Sequence, residues 1–206
     1  MKSFIITFTL LLGFAAQGQT NFEKGMGKAF SLWQSGNMNG AEQLFERMVD
    51  AEPNQWLPSY YIAQINSLKS WEEKDINVLT MQLNKAQKHI DKAKAIEPNN
   101  AEILVMQAHV YTNWVAFDGA TYGMKYSNLI IELYKWAFKL DPENPRVVYN
   151  KAEWDMGTAK FFGNDTKPYC QDFAKAVDLF ATFKPASDFH PNWGKERAEQ
   201  VLADCK

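Results

Sequence analysis

Cysteine is almost absent from this chain: 206 residues contain two, Cys170 and Cys205. That excludes a cysteine-built metal or iron–sulfur domain, and no thiol-enzyme signature surrounds either residue. Histidine is nearly as scarce. His89, His109 and His190 are scattered, and none belongs to a metal-ligand motif, so no metal or other cofactor is expected. Charge of one sign is lacking too: 22 Lys and Arg balance 24 Asp and Glu to a formal −2, without a run of like charge. Nucleic acid is therefore not an expected partner. Phosphate-cradling, zinc-protease and nucleophile-elbow motifs are missing, and Gly25-Met26-Gly27 is a lone G-x-G with no strand before it. No enzyme is expected.

Apolar and aromatic residues are plentiful. Hydrophobic residues make up 46% of the chain and aromatics 14%, including seven Trp, enough for a sizeable core built on large flat side chains. Near the N-terminus, Lys2 precedes an apolar stretch from Phe4 to Ala16, and Ala16-Gln17-Gly18 offers small residues at a cleavage site. The apolar stretch is too short for the roughly 20 residues of a membrane-spanning helix, so residues 1–18 are expected to be a cleaved signal peptide. Stable membrane insertion is not expected. Export, to the periplasm or beyond the cell, would put the two cysteines in an oxidising compartment, where an even pair predicts a Cys170–Cys205 disulfide.

The sequence also repeats itself. Glu52-Pro53-Asn54, Glu97-Pro98-Asn99-Asn100 and Asp141-Pro142-Glu143-Asn144 are spaced about 44 residues apart, and Pro185 continues the series. Each proline follows apolar residues at helical spacing, such as Ala41, Leu44, Phe45 and Met48, or Ile130, Leu133, Tyr134 and Ala137. Another helical run lies upstream of each, at 22–33, 58–69, 101–117 and 146–161. The pattern predicts an all-α array of about four helical hairpins over residues 19–206, with units near 22–55, 56–100, 101–144 and 145–187. A capping helix at 192–205 uses Trp193, Ala198, Val201 and Leu202 as its apolar stripe. Antiparallel packing of that cap on the last unit would bring Cys170 to Cys205.

These residues resemble the tetratricopeptide repeat, a helical hairpin of about 34 residues with small residues at the helix crossing, an aromatic in the second helix and a closing proline. Counting back from Pro53, Gly36 falls on the turn, Ala41 on a small position and Phe45 on the aromatic one. Ala63, Ala108 and Ala152 take the small position of later first helices. HEAT-type repeats share the period, but the recurring acidic-Pro-x-Asn closure favours the tetratricopeptide pattern. Units two to four are longer than the family's, by Trp71 to Val78, Asp118 to Tyr126 and Gly163 to Tyr169, which are read as extended helices with longer turns.

The resemblance implies a right-handed solenoid whose first helices line a concave, partner-binding groove. Residue by residue it places there Met26, Phe30 and Trp33, then Tyr60, Gln64 and Ser67. Val105, His109, Thr112 and Asn113 would continue the groove, and Arg146, Tyr149 and Glu153 would close it. Some of these aromatics are equally readable as core between repeats. The expected function is a non-enzymatic exported scaffold that holds a protein or peptide of the cell envelope in this groove; the alternative is a small-ligand or glycan receptor whose Trp and Tyr stack on rings. Two glycine–aromatic stretches, Phe117 to Gly123 and Phe161 to Asp165, stand apart, open to both packing and binding readings.

Overall fold

A computed structural model describes residues 20–205, so the expected signal peptide lies outside the described residues. The protein is all-α. Among the described residues the helices are α1 (Asn21–Gln34), α2 (Met38–Ala51), α3 (Trp56–Ser70), α4 (Ile76–Ile96), α5 (Ala101–Phe117), α6 (Gly119–Leu140), α7 (Pro145–Phe161), α8 (Cys170–Thr182) and α9 (Lys195–Asp204), with one 3-10 turn at Lys167–Tyr169. Successive helices pack as the pairs α1–α2, α3–α4, α5–α6 and α7–α8, and α9 lies on α8.

The proline motifs work at both sides of a break. A residue before proline disfavours the helical region, so α2, α4 and α6 end at Glu52, Glu97 and Asp141. The asparagine that follows then starts the next helix: the side chains of Asn100 and Asn144 accept from the backbone N–H of Glu102 and Arg146. Thr20 and Glu23 form a capping box at α1, and Asn37 and Asp75 cap α2 and α4.

Corresponding first helices run side by side and parallel. Asn113 near the end of α5 donates to Ser67 and Ser70 near the end of α3. At their other ends, Glu102 of α5 pairs with Arg146 of α7. The N-termini of α3, α5 and α7 therefore share one end of the array and their C-termini the other. The extra length of the third unit corrects the expected longer turn. Asp118 alone separates α5 from α6 and accepts from the N–H groups of Ala120 and Thr121, so residues 119–126 are helical.

The core forms three clusters. The first joins α1 to α5 around Phe45, Ile62, Leu83 and Ile90; the second joins α5, α6 and α7 around Leu104, Ile130 and Val147; the third joins α7, α8 and α9 around Ala152, Phe173 and Ala198. Gly25 lets α1 and α2 approach closely, since a Cβ there would lie 2.9 Å from the Met48 sulfur. Cys170 and Cys205 are bonded, with Cα atoms 5.9 Å apart at a sequence separation of 35, tying the start of α8 to the end of α9. No described helix is long and apolar enough to cross a membrane.

Two tests follow from the packing. Reducing the disulfide, or replacing both cysteines with serine, should lower unfolding free energy by about 3–4 kcal/mol in chemical denaturation, because a closed loop of this length no longer restricts the unfolded chain. His89 is buried in α4, its Nδ1 without a hydrogen-bond partner among the described residues, and burial, reinforced by Lys92 and Lys85, lowers its pKa to about 4. The unfolded imidazole takes its proton near its ordinary 6.5, so this contribution to stability is complete above that pH and is lost as pH falls towards 4. Denaturation midpoints of wild type and His89→Gln across that window should show a shallower acid slope in the variant.

Candidate functional site

The face expected to be an open groove is filled by the chain itself. Between α8 and α9, residues 183–194 cross the first helices. Their start is fixed by proline: Lys184-Pro185 cannot continue α8, which ends with Phe183 extended. Phe189 stacks on Phe30 with ring centres 6.1 Å apart and meets Phe22 edge-on at 6.3 Å. Its carbonyl accepts the Tyr61 hydroxyl at 2.7 Å. His190 lies edge-on to Trp56 at 5.6 Å. The Trp193 indole donates from Nε1 to the Tyr60 hydroxyl at 2.9 Å and meets the His109 ring at 5.3 Å. Trp193 thus precedes α9 rather than belonging to its apolar stripe. Gly194 makes the turn possible: its φ is +101°, and a Cβ would lie 3.3 Å from both Tyr149 and Phe180.

The anticipated groove residues occupy structural positions around this segment. Met26 and Val105 are fully buried core. Phe30 and Trp33, half-buried, pack against Tyr61 at 4.8 and 6.0 Å. Tyr60 is buried, and burial together with the Glu102 charge holds its pKa well above the usual phenol value, so it stays a neutral acceptor for Trp193. Gln64 is buried with Oε1 unpartnered among the described residues, whereas Asn113 spends its amide on the backbone and hydroxyl of Ser67 and on Ser70. His109 is hydrogen-bonded to Asn150, and burial lowers its pKa. Thr112 donates to the Ala108 carbonyl within its own helix.

Arg146 is wholly buried and gives Nε and Nη2 to the Glu102 carboxylate, at 2.8 and 2.6 Å, which also takes the Asn144 amide at 2.7 Å. Its guanidinium lies 4.5 Å from the centre of the Phe183 ring. Tyr149 donates to Glu153, which also accepts from Arg197. Most of the set is thus joined through packing and through its own chain, and only Phe30, Trp33, His109, Thr112 and Glu153 keep partial exposure. The signal for this lay in the sequence: Phe183, Phe189 and Trp193 are large apolar residues in a segment interrupted by Pro185 and Pro191, which must be buried without a helix.

Exposed aromatic surface lies elsewhere, at the C-terminal ends of α5 and α7 and the start of α6. Tyr122 and Tyr126, four residues apart, share one face of α6. Tyr126 stacks on Tyr111 at 4.7 Å, Tyr122 lies 4.8 Å from Trp114, and the two tyrosines are 6.2 Å apart. Lys125 caps the Tyr126 ring at 4.7 Å. Met124 is 95% exposed beside them. Phe161 and Phe162, at 76% and 70% exposure, end α7, and Phe161 reaches Gly119 at the head of α6. Both glycine–aromatic stretches therefore meet on one surface. Trp71, also exposed, follows Ser70 at this same end of the array. Spacing alone hid this face, because residues 118–126 read as a turn while they are the first turns of a helix. Among the described residues no group of three or more His, Cys, Asp or Glu is placed to hold a metal ion.

No protein-family model matches the chain, and a search of curated proteins finds no match. Among solved structures the chain is similar to the HusA haemophore from Porphyromonas gingivalis, with 20% sequence identity and a TM-score of 0.79, over 92% of this chain and 95% of that one. At that identity the likeness is one of fold.

Proposed function

We propose that this protein is an exported, non-enzymatic receptor for a flat aromatic ligand of the haem class, held on the aromatic face of α5, α6 and α7. The observation that carries this reading is the convergence of Tyr111, Trp114, Tyr122, Tyr126, Phe161 and Phe162, with the last two largely exposed to solvent. Apolar surface of this kind gains free energy when a ligand removes it from water, and ring faces favour a planar partner. Tyrosine and methionine can each serve as an axial ligand to haem iron, and Tyr122, Met124 and Tyr126 supply both at the surface. One or two such donors suffice for a haem, so the lack of a clustered metal site is no obstacle.

The haemophore named above supports the choice of ligand class, because it shares this fold along nearly its whole length. The filled concave face supports a small ligand over a peptide: a peptide could enter only by displacing residues 183–193. We read the array itself as a right-handed solenoid of the tetratricopeptide type, on the strength of its paired helices and proline closures.

Titration with haemin should give a saturable Soret change together with quenching of Trp fluorescence. Replacing Tyr122 and Phe161 together with alanine should weaken binding roughly tenfold or more, about 1.4 kcal/mol or greater, while leaving the melting curve close to wild type, since neither side chain is buried. An unchanged affinity in that double variant, or no spectral change in the wild type, would refute the assignment.

A further inference from the structure

Tyr122 and Tyr126 begin a stripe that runs the length of α6: Leu129, Leu133, Trp136 and Leu140 follow them at alternating intervals of three and four residues. That spacing keeps side chains in line when one helix packs lengthwise on another. α6 turns a different edge to the core, through Ile130, Tyr134 and Ala137. The two tyrosines are covered in part by Tyr111 and Trp114, but Leu129, Trp136 and Leu140 are exposed, with Leu133 half-buried between them. Lys94 of α4 lies 5.8 Å from the centre of the Trp136 ring. Residues 129–140 thus leave an apolar face about 17 Å long in water.

The charges beside the stripe indicate what fits it. Lys125, Glu132 and Lys139 recur every seven residues, each just before a stripe residue and each exposed. In an antiparallel helix pair such flanking positions face one another across the seam. A partner of the same sequence therefore meets them in a defined register. Full overlap, with Tyr122 against the other copy's Leu140, opposes Lys125 to Lys139 and Glu132 to Glu132, which is repulsive throughout. A shift of one heptad sets Leu129 against the other copy's Leu140 and Leu133 against its Trp136, and Glu132 then faces Lys139 twice, by symmetry. The opposite shift would pair Lys125 with Glu132, but it needs Tyr122 and Tyr126, already packed against α5, and Lys125 already lies over the Tyr126 ring at 4.7 Å. Glu132 is held by Lys135 at 2.8 Å in the same helix, an exposed pair that costs little to exchange.

We propose that residues 129–140 of α6 form a self-association surface, on which a second copy of this chain packs antiparallel about a two-fold axis, joined at the rim by two Glu132–Lys139 pairs. This register leaves Tyr122 and Tyr126 outside the contact, so the association is independent of the ligand assigned to the aromatic face. Sedimentation velocity on the intact protein, from about 1 to 500 µM, should show a concentration-dependent monomer–dimer equilibrium. Lys139→Glu and Glu132→Lys, both at exposed positions, should each weaken it roughly tenfold or more at an unchanged melting temperature, since each sets like charges together twice. An equimolar mixture of those two variants should recover association as a heterodimer, and the double variant carrying both should recover it alone, at the wild-type net charge. Leu129→Gln should weaken the dimer through its apolar face, while Lys125→Glu should leave it unchanged. A wild type that stays monomeric, single reversals that associate as wild type does, a mixture that stays monomeric, or dissociation by Lys125→Glu would each overturn the proposal.

Discussion

One side chain links the three cores. Trp193 packs against the cluster of the first two hairpins, against that of α5, α6 and α7, and against the terminal cluster of α7, α8 and α9. In an array of helical hairpins each unit ordinarily touches only its neighbours, so stability is close to a sum of local terms and the ends fray. Here the chain returns from the last unit to the second, placing the indole on Tyr60, 133 residues away in sequence. Tyr61, the next residue, fixes the Phe189 carbonyl of the same segment. Two adjacent tyrosines on α3 thus anchor the returning chain. Gly194 allows it to leave in a left-handed turn between Tyr149 and Phe180, and the Cys170–Cys205 bond holds α9, which follows, against α8.

This arrangement gives the two ends of the first helices different characters. Their N-terminal ends carry the buried Glu102–Arg146 pair, the asparagine caps and the edge of the returning segment, and there a polar cleft opens. Burying such a pair is favourable only when its remaining hydrogen-bonding capacity is met, and Asn144 meets part of it on the Glu102 side. Among the described residues, Arg146 Nη1 is the part left over. At the C-terminal ends the hairpins lengthen, through the 22 residues of α6 above all, and rings project where no later element covers them. The added helical turns account for the longer period in that unit and carry Tyr122, Met124 and Tyr126 as well.

Much of the helical order is legible from local rules. Glu97-Pro98-Asn99-Asn100 and Asp141-Pro142-Glu143-Asn144 each hold a stop and a start, and both act as such. The disulfide is likewise foreseeable, from two cysteines in terminal helices that pack against each other. Residues 118–126 illustrate where local rules fail: two glycines and an aspartate resemble a turn, yet one aspartate cap suffices to start a helix at once, and the cost of roughly 1 kcal/mol per helical glycine is tolerated. The groove fails for a different reason. Helical spacing assigns Tyr60, His109 and Tyr149 to a face, but cannot show that Phe189 and Trp193 cover it, since this pairing spans most of the chain and leaves no periodic trace.

The covered groove also bears on why the aromatic face matters. A short array short of core would be expected to turn every large ring inward, and most of its rings do turn inward, Phe45, Tyr60, Phe173 and Trp56 among them. Phe161 and Phe162 do not, although the neighbouring Ala159 is buried in the same helix and the 3-10 turn begins only a few residues later. Their exposure is not forced by a shortage of interior positions, because the half-buried Trp114, Tyr111 and Tyr126 form a continuous ring surface next to the α6 start that Phe161 touches. Keeping that much ring surface in water forgoes burial worth about 25 cal/mol per Å². The chain closes its groove with its own residues and leaves this ring surface uncovered, and it is on that contrast that the proposed ligand reading rests.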